Sequence, residues 1–200
     1  VYLLTVGDAL APSGVTVNDF NYDMVDFSWT GNGSETQWYV EWGLAGFTPG
    51  TGTEVGSAIV SSPTHIASGL DGFTDYDFYV AANCGGSTTA GTWVSVSQTT
   101  LCDPIVAQGF CESFNSDSPT EACWTVLNTN ADGDAWTMNG TLVPYTGDQG
   151  AQIYTDFNGG NNDDWLITPL MTLTNNEIMS FYYRSYTVGE PNNFEVRIST

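Results

Sequence analysis

The sequence has no lysine and only two arginines, Arg184 and Arg197, against 23 aspartates and glutamates. Its formal net charge at neutral pH is −21 over 200 residues. Binding of nucleic acid and attachment to anionic lipid both need clustered basic side chains, so this composition excludes both kinds of partner. The acidic charge also repels itself, and bound or dissolved cations are the ordinary means of relieving that repulsion.

The sequence also lacks an apolar run of about 18 residues, so no segment is predicted to span a membrane. The chain is nevertheless predicted to fold, because 41% of its residues are hydrophobic and 14% are aromatic. A helical hydrophobic period is missing, and nearly every patterned segment alternates with period two, as in Val25–Trp29, Trp38–Trp42 and Tyr76–Val80. Gly, Asn, Asp and Pro separate these segments. We therefore predict an all-β protein of the sandwich or barrel type.

Residues suited to catalysis are few. His65 is the one histidine of the sequence, and without a lysine or a second histidine a serine nucleophile lacks an ordinary base. Neither an H-E-x-x-H motif nor a G-x-S-x-G elbow occurs. Two neighbouring acids, which could in principle hydrolyse a glycoside, carry little information in so acidic a chain. We predict that this segment is not an enzyme and that His65 has a structural or surface role.

Residues 11–100 contain a recognisable series of motifs. Val25–Trp29 and Trp38–Trp42 are two tryptophan-bearing strands, and Gly69–Val80 is a turn that leads into a third strand. This series resembles a fibronectin type III domain, and Tyr76 matches the tyrosine corner of that family. The resemblance implies a two-sheet β-sandwich with one core. The predicted core residues are Trp29, Trp38, Val40, Trp42, Phe78 and Val80.

The rest of the chain carries five further motifs in a fixed order: Cys111–Phe114, Cys123–Val126, Asn130–Trp136, Asn162–Pro169 and Met179–Arg184. Their order and spacing resemble the cleaved-adhesin or MAM-like jelly-roll modules of secreted surface proteins of Bacteroidota. The resemblance implies a jelly roll over 110–200. Since such a module needs further strands after Thr200, we expect it to be truncated. We also expect residues 1–10 to be the end of a preceding module or a linker strand, and 101–109 to be a linker.

The two resemblances together imply a function. We expect a structural and adhesive segment of a large extracellular protein, displayed at the cell surface and exported by the type IX secretion route. Its expected partners are neighbouring modules of the same polypeptide and an extracellular protein or polysaccharide. Two alternatives stay open: an accessory module that anchors a secreted hydrolase to its substrate, and a self-assembling fibre subunit.

The sequence has four cysteines, Cys84, Cys102, Cys111 and Cys123, without the C-x-x-C spacing of a metal site. Four cysteines allow three pairings. The two modules favour Cys84 with Cys102 and Cys111 with Cys123, because each bridge then closes a loop within or beside one module. Free cysteines are the alternative interpretation. Disulfides persist outside the cytoplasm, which agrees with an extracellular location.

Oxygen-bearing side chains alternate around Gly133, an arrangement that allows the tight turn a hard cation such as Ca²⁺ requires. In jelly rolls of the kind this half resembles, acidic groups near these motifs contribute to calcium sites. The alternative is a solvated turn. The calcium candidates are Glu112, Asn130, Asp132, Asp134, Asp163 and Asp164.

Three tyrosines are predicted to point outward from their strands: Tyr39, Tyr79 and Tyr182. Exposed aromatic rings beside carboxylates and amides are a common means of holding carbohydrate. We therefore treat the three as candidate carbohydrate contacts. The alternative is that they form aromatic pairs that stiffen a sheet.

Overall fold

The computed structural model describes residues 10–83, 91–142, 144–154, 163–174, 176–185 and 194–199. The chain divides into two compact units, Val1–Asp103 and Pro104–Thr200. Strands are the main regular elements of both units, and the only helical element in the described parts of the chain is a three-residue 3₁₀ turn, Glu121–Cys123. The predicted all-β fold class is confirmed. The strand predicted at residues 1–10 lies outside the described residues, except for Leu10.

Seven strands build the described part of the first unit: β1 (Ser13–Phe20), β2 (Met24–Thr30), β3 (Trp38–Leu44), β4 (Gly56–Val60), β5 (Thr64–Ser68), β6 (Asp75–Ala82) and β7 (Val94–Thr99). One antiparallel sheet has the order β1-β2-β5, and the other has the order β4-β3-β6-β7. This sandwich of three and four strands is the fold expected of a fibronectin type III domain.

The core of the first unit lies between its two sheets. Strand β2 buries every second residue, and its Phe27 ring lies 5.1 Å from the ring of Phe78 on β6. Trp29 and Trp38 meet edge to face across the sheets at 5.9 Å. Five of the six predicted core residues are buried, and Trp42 packs half-buried against them. Alternation in the sequence therefore predicted this core correctly.

A tyrosine corner fixes the turn that leads into β6. Tyr76 is only 2% exposed, and its hydroxyl oxygen accepts a hydrogen bond of 3.0 Å from the backbone N–H of Asp71. The backbone N–H of Leu70 donates to the carbonyl oxygen of Asp23, which ties the same turn to the start of β2. A buried polar group is stable only when it is hydrogen-bonded, and here the tyrosine hydroxyl and a turn N–H satisfy each other.

The described part of the second unit contains three two-stranded ladders. Its strands are β8 (Ile105–Val106), β9 (Thr125–Asn128), β10 (Thr137–Gly140), β11 (Gly150–Gln152), β12 (Asp164–Ile167) and β13 (Met171–Thr172). Antiparallel pairs form between β9 and β12 and between β10 and β11, whereas β8 and β13 pair in parallel. None of the buried hydrophobic residues of the described chain belongs to this unit.

Within the predicted linker 101–109, Ile105–Val106 form β8, which pairs with β13. Apolar and polar residues alternate over 194–199, but these residues form no strand in the structure, and Ile198 is 82% exposed. An alternating pattern makes one face apolar, but a strand also needs a partner edge for its backbone hydrogen bonds.

Candidate functional site

The loop between β9 and β10 holds the Asn130–Asp134 motif in a defined turn. The side-chain amide of Asn130 donates to Asp132 Oδ2 at 2.7 Å, and the backbone N–H of Asp134 donates to Asp132 Oδ1 at 2.9 Å. Between the two aspartates, Gly133 has a φ of 95°, a conformation that glycine adopts without strain. Asn128, the last residue of β9, closes the turn by donating its amide to the carbonyl oxygen of Asp134 at 2.9 Å.

Strand pairing brings a second acidic pair to this turn. Asp164 is the first residue of β12 and lies opposite Asn128 in the antiparallel ladder. The backbone N–H of Thr129 donates to the carbonyl oxygen of Asp163 at 3.1 Å, which extends the ladder to the base of the turn. Residues more than 30 positions apart in sequence therefore meet because β9 and β12 share an edge.

The Asp164 carboxylate is electrostatically unsatisfied. Each of its two oxygens exposes less than 1 Å² and accepts no hydrogen bond from the described residues, although the residue as a whole is only partly buried. Burial raises the pKa of Asp164 above its ordinary value, and the charges of Asp132, Asp163 and Asp134 raise it further. A covered carboxylate among like charges is stabilised either by a proton or by a cation.

Glu112 has different surroundings from the aspartates. Its oxygens accept hydrogen bonds from the backbone N–H of Phe114 at 2.8 Å and from the hydroxyls of Ser118 and Thr120 at 2.7 and 2.6 Å. The indole N–H of Trp124 adds a fourth at 3.2 Å. Burial works to raise the pKa of Glu112, but these hydrogen bonds outweigh it and hold that pKa below its ordinary value. Glu112 therefore organises the 112–124 loop, and its charge does not act on Asp164.

Taken together, five of the six calcium candidates lie on or beside one turn, and Glu112 has separate partners. Asn130 joins the group through its bond to Asp132. Among the described residues, no three acidic, histidine or cysteine side chains lie close enough together to form a ready metal site. The donors present are all oxygens, the ligand type that Ca²⁺ prefers, and the covered oxygens of Asp164 have no hydrogen-bond partner among the residues that the structure describes.

Comparison with known proteins identifies the family of the second unit. The family model described as Cleaved Adhesin Domain matches residues 108–200. The second unit is a cleaved adhesin domain. No curated protein matches the chain. The solution structure of the fn3 domain of human collagen alpha-1(XX) chain is similar to 50% of this chain and 93% of that one, with 20% identity and a TM-score of 0.38. The fibronectin type III assignment of the first unit rests on its own strand order and tyrosine corner.

The three predicted carbohydrate contacts have different environments. Tyr39 and Tyr79 are half-buried on the outer face of the four-stranded sheet, where the Tyr79 ring meets the Phe47 ring edge to face at 5.1 Å. In the cleaved adhesin domain, Tyr182 is 73% exposed and stacks on Tyr145, with ring centroids 3.7 Å apart and ring planes 9° apart. Sequence reasoning missed Tyr145, although its position between a proline and a glycine is typical of a residue displayed on a turn.

The cysteines only partly follow the prediction. Cys102 and Cys123 are disulfide-bonded, whereas Cys111 of the cleaved adhesin domain is a free, exposed thiol. The predicted pairing of Cys111 with Cys123 is therefore wrong. Nearness in sequence was its main support, and a bridge requires the proper separation and direction of the two Cβ atoms instead. The predicted pairing of Cys84 with Cys102 involves Cys84, which lies outside the described residues.

His65 lies on β5, as the sequence predicted, and packs inside the first unit. Its ring lies 6.0 Å from Phe27, edge to face, and 5.1 Å from Trp42. The ring atom Nε2 is buried and has no hydrogen-bond partner among the described residues. Burial lowers the pKa of His65, and the nearby charge of Asp26 opposes that effect. These contacts are those of a packed core residue.

Proposed function

We propose that this chain is a non-catalytic, adhesive segment of a larger secreted or cell-surface protein, in which neighbouring modules space and present binding surfaces. The observation that carries this proposal is the cleaved adhesin domain at 108–200, which follows a fibronectin type III fold. Domains of these two kinds are typically non-catalytic. The aromatic packing of His65, the one histidine of the sequence, agrees with that assignment.

An extracellular location supports this function. The disulfide-bonded state of Cys102 and Cys123 is typical of proteins outside the cytoplasm. The described residues include no helix long and apolar enough to cross a bilayer. Together with the adhesin domain, these features favour a secreted or surface-displayed protein, and we assign its export to the type IX route on the strength of the family resemblance.

Adhesion of coated beads tests the proposal. Beads carrying the folded chain should be retained on surfaces of extracellular protein or polysaccharide, and beads carrying the heat-unfolded chain should not. Equal retention of the two would refute an adhesive role.

The full gene separates the alternative functions. An adjoining protease or glycosidase domain favours the accessory-module function, and further tandem β-modules favour the adhesin. Filaments in electron micrographs of the purified chain would favour the fibre subunit.

We further propose that Ca²⁺ binds at the Asn130–Asp134 turn and stabilises the cleaved adhesin domain. Asp132, Asp134 and Asp164 would hold the ion, with Asp163 and Asn130 as further oxygen donors. The covered oxygens of Asp164, without a hydrogen-bond donor among the described residues, support this proposal most directly. Because Ca²⁺ takes about six to eight oxygen ligands and accepts water among them, the protein need not supply the whole shell. The ion would offset the repulsion among the carboxylates and join β9 to β12.

A further inference from the structure

Two stacked tyrosines form a prominent aromatic surface on the cleaved adhesin domain. Tyr145 and Tyr182 are 68% and 73% exposed, yet their rings lie nearly parallel with centroids 3.7 Å apart. A hydrogen bond with Tyr182 raises the pKa of Tyr145 above its ordinary value. Each ring covers one face of the other and leaves its outer face to solvent. The pair is therefore a preassembled aromatic block.

The loop that carries Tyr145 is anchored to a second loop. The backbone N–H and the hydroxyl of Ser116 both donate to the Asp148 carboxylate, and the backbone N–H of Asp148 donates to Asn115 Oδ1 at 3.2 Å. Gly147 has a φ of 75°, a backbone conformation that residues with a side chain rarely adopt. Tyr145 is thus held by an ordered turn, which lowers the entropic cost of using it as a contact residue.

An ionised carboxylate lies on the loop that carries Tyr145, in a chain of strongly negative net charge. The hydrogen bonds from Ser116 hold the pKa of Asp148, three residues from Tyr145, below its ordinary value, so that carboxylate is ionised. The whole chain carries −21 and has no lysine. Of its two arginines, Arg197 is engaged by Glu195 at 2.6 Å and lies over the Trp165 ring at 5.0 Å. An aromatic face in a negative field attracts cations by both its quadrupole and the field.

We propose that the Tyr145–Tyr182 pair is a docking platform for a lysine- or arginine-rich segment of an extracellular protein. This inference rests on the proposed adhesive function and names the chemistry of the partner. Charge complementarity favours a basic protein segment over a polysaccharide, because a neutral sugar gains nothing from the net charge of −21 on the chain. The Arg197–Trp165 contact shows that this domain already uses the same interaction internally.

Binding of a labelled deca-arginine peptide to the full chain tests the platform, with deca-citrulline as the uncharged control. Tyr145→Leu and Tyr182→Leu should each weaken deca-arginine binding by about 2- to 30-fold, the range expected for one cation–π contact. Tyr145→Phe keeps the ring and should retain binding. Tyr183→Leu is the matched control, because Tyr183 is 74% exposed and its ring contacts Phe181 and Phe194, outside the stacked pair.

A second measurement needs no substitution. Titrating deca-arginine into the unaltered chain should shift the ring proton resonances of Tyr145 and Tyr182 more than those of Tyr183, and 1 M NaCl should abolish the shifts. Equal deca-arginine affinity in all variants, with no selective shift, would overturn the proposal in favour of diffuse charge attraction. Binding of cellohexaose at the same tyrosines in place of deca-arginine would also overturn it, in favour of a polysaccharide partner.

The test of the tyrosine platform can fail or succeed independently of the test of the adhesive function. Retention of coated beads that is unaffected by Tyr145→Leu and Tyr182→Leu would overturn the platform and leave adhesion standing. Selective deca-arginine binding without any bead retention would support the platform and count against adhesion.

Discussion

Twelve hydrophobic residues are buried among the described residues of the first unit, whereas those of the cleaved adhesin domain contribute none to that set. The described strands of the first unit, seven in two sheets, enclose its core. The described part of the second has three short ladders, and its Glu112 accepts four hydrogen bonds, whereas the carboxylates around Asp164 repel one another. Similar alternating sequences therefore end in different packing. A buried apolar core lies in the first unit, and the described part of the second has hydrogen bonds and ring contacts at partly exposed positions instead.

Removal of a phenyl ring should show the largest difference in stability between the two units. Phe78→Ala empties a fully buried position in the first core and should lower the free energy of unfolding of that unit by about 3–5 kcal/mol. Phe181→Ala, the matched change at a 47% exposed phenylalanine of the second unit, should cost less than about 1 kcal/mol. Hydrogen exchange resolved by unit measures both. Comparable losses in the two variants would mean that the second unit also depends on a packed apolar core.

Calcium should act on the second unit alone. At a hundredfold excess over its dissociation constant, an ion that binds only the folded state stabilises by about 2.7 kcal/mol. We expect that gain in the cleaved adhesin domain and no change in the first unit, measured by unit-resolved hydrogen exchange with Ca²⁺ and with chelator.

A single substitution tests whether the calcium response depends on Asp164. Asp164→Asn removes one of several repelling charges, so it should stabilise the second unit in chelator and weaken its response to Ca²⁺. Asp75→Asn, at an exposed acid of the first unit, is the control and should leave the calcium response unchanged. Identical unfolding with and without Ca²⁺ in the unaltered chain would mean that the Asn130–Asp134 motif is only a turn.

Loss of the tyrosine-corner hydroxyl should have a smaller effect, confined to the first unit. Tyr76→Phe leaves the backbone N–H of Asp71 without its acceptor, which should cost about 1–3 kcal/mol. Tyr79→Phe, on the outer face of the same strand, should change stability by no more than about 0.5 kcal/mol. Urea denaturation of the two variants provides the test, and equal midpoints would show that the corner adds nothing to stability.

The smallest expected effect is a pH dependence of the first unit through His65. Its folded-state pKa lies below the ordinary value of 6.5, so the unfolded chain binds the proton more readily. Stability should be complete above pH 6.5 and should fall as the pH drops from there through the folded-state pKa. His65→Gln should remove this slope, as measured by urea denaturation at several pH values. An unchanged slope would assign the pH dependence to carboxylates instead.

The sequence predicted correctly those features that a short segment determines by itself, such as the buried face of a strand or a local turn. Alternation in Val25–Trp29 and Tyr76–Val80 placed the first core correctly, because both faces of the sandwich come from strands with clear patterns. The Asp132 turn and the role of Tyr76 were likewise evident from local motifs. The stacking of Tyr145 on Tyr182 depends on a contact between distant segments, which spacing along the chain does not encode.

Because Glu112 accepts four hydrogen bonds, Asp164 and Glu112 of the cleaved adhesin domain take up protons at different pH values. As the pH falls, Asp164 takes up a proton early, because burial and its acidic neighbours raise its pKa. Glu112 takes one up late, because its hydrogen bonds outweigh its burial and lower its pKa, and the stability it provides is lost only as the pH falls through that lowered value. Acidification therefore removes charge from Asp164, beside the Asn130–Asp134 turn, while the 112–124 loop keeps its shape.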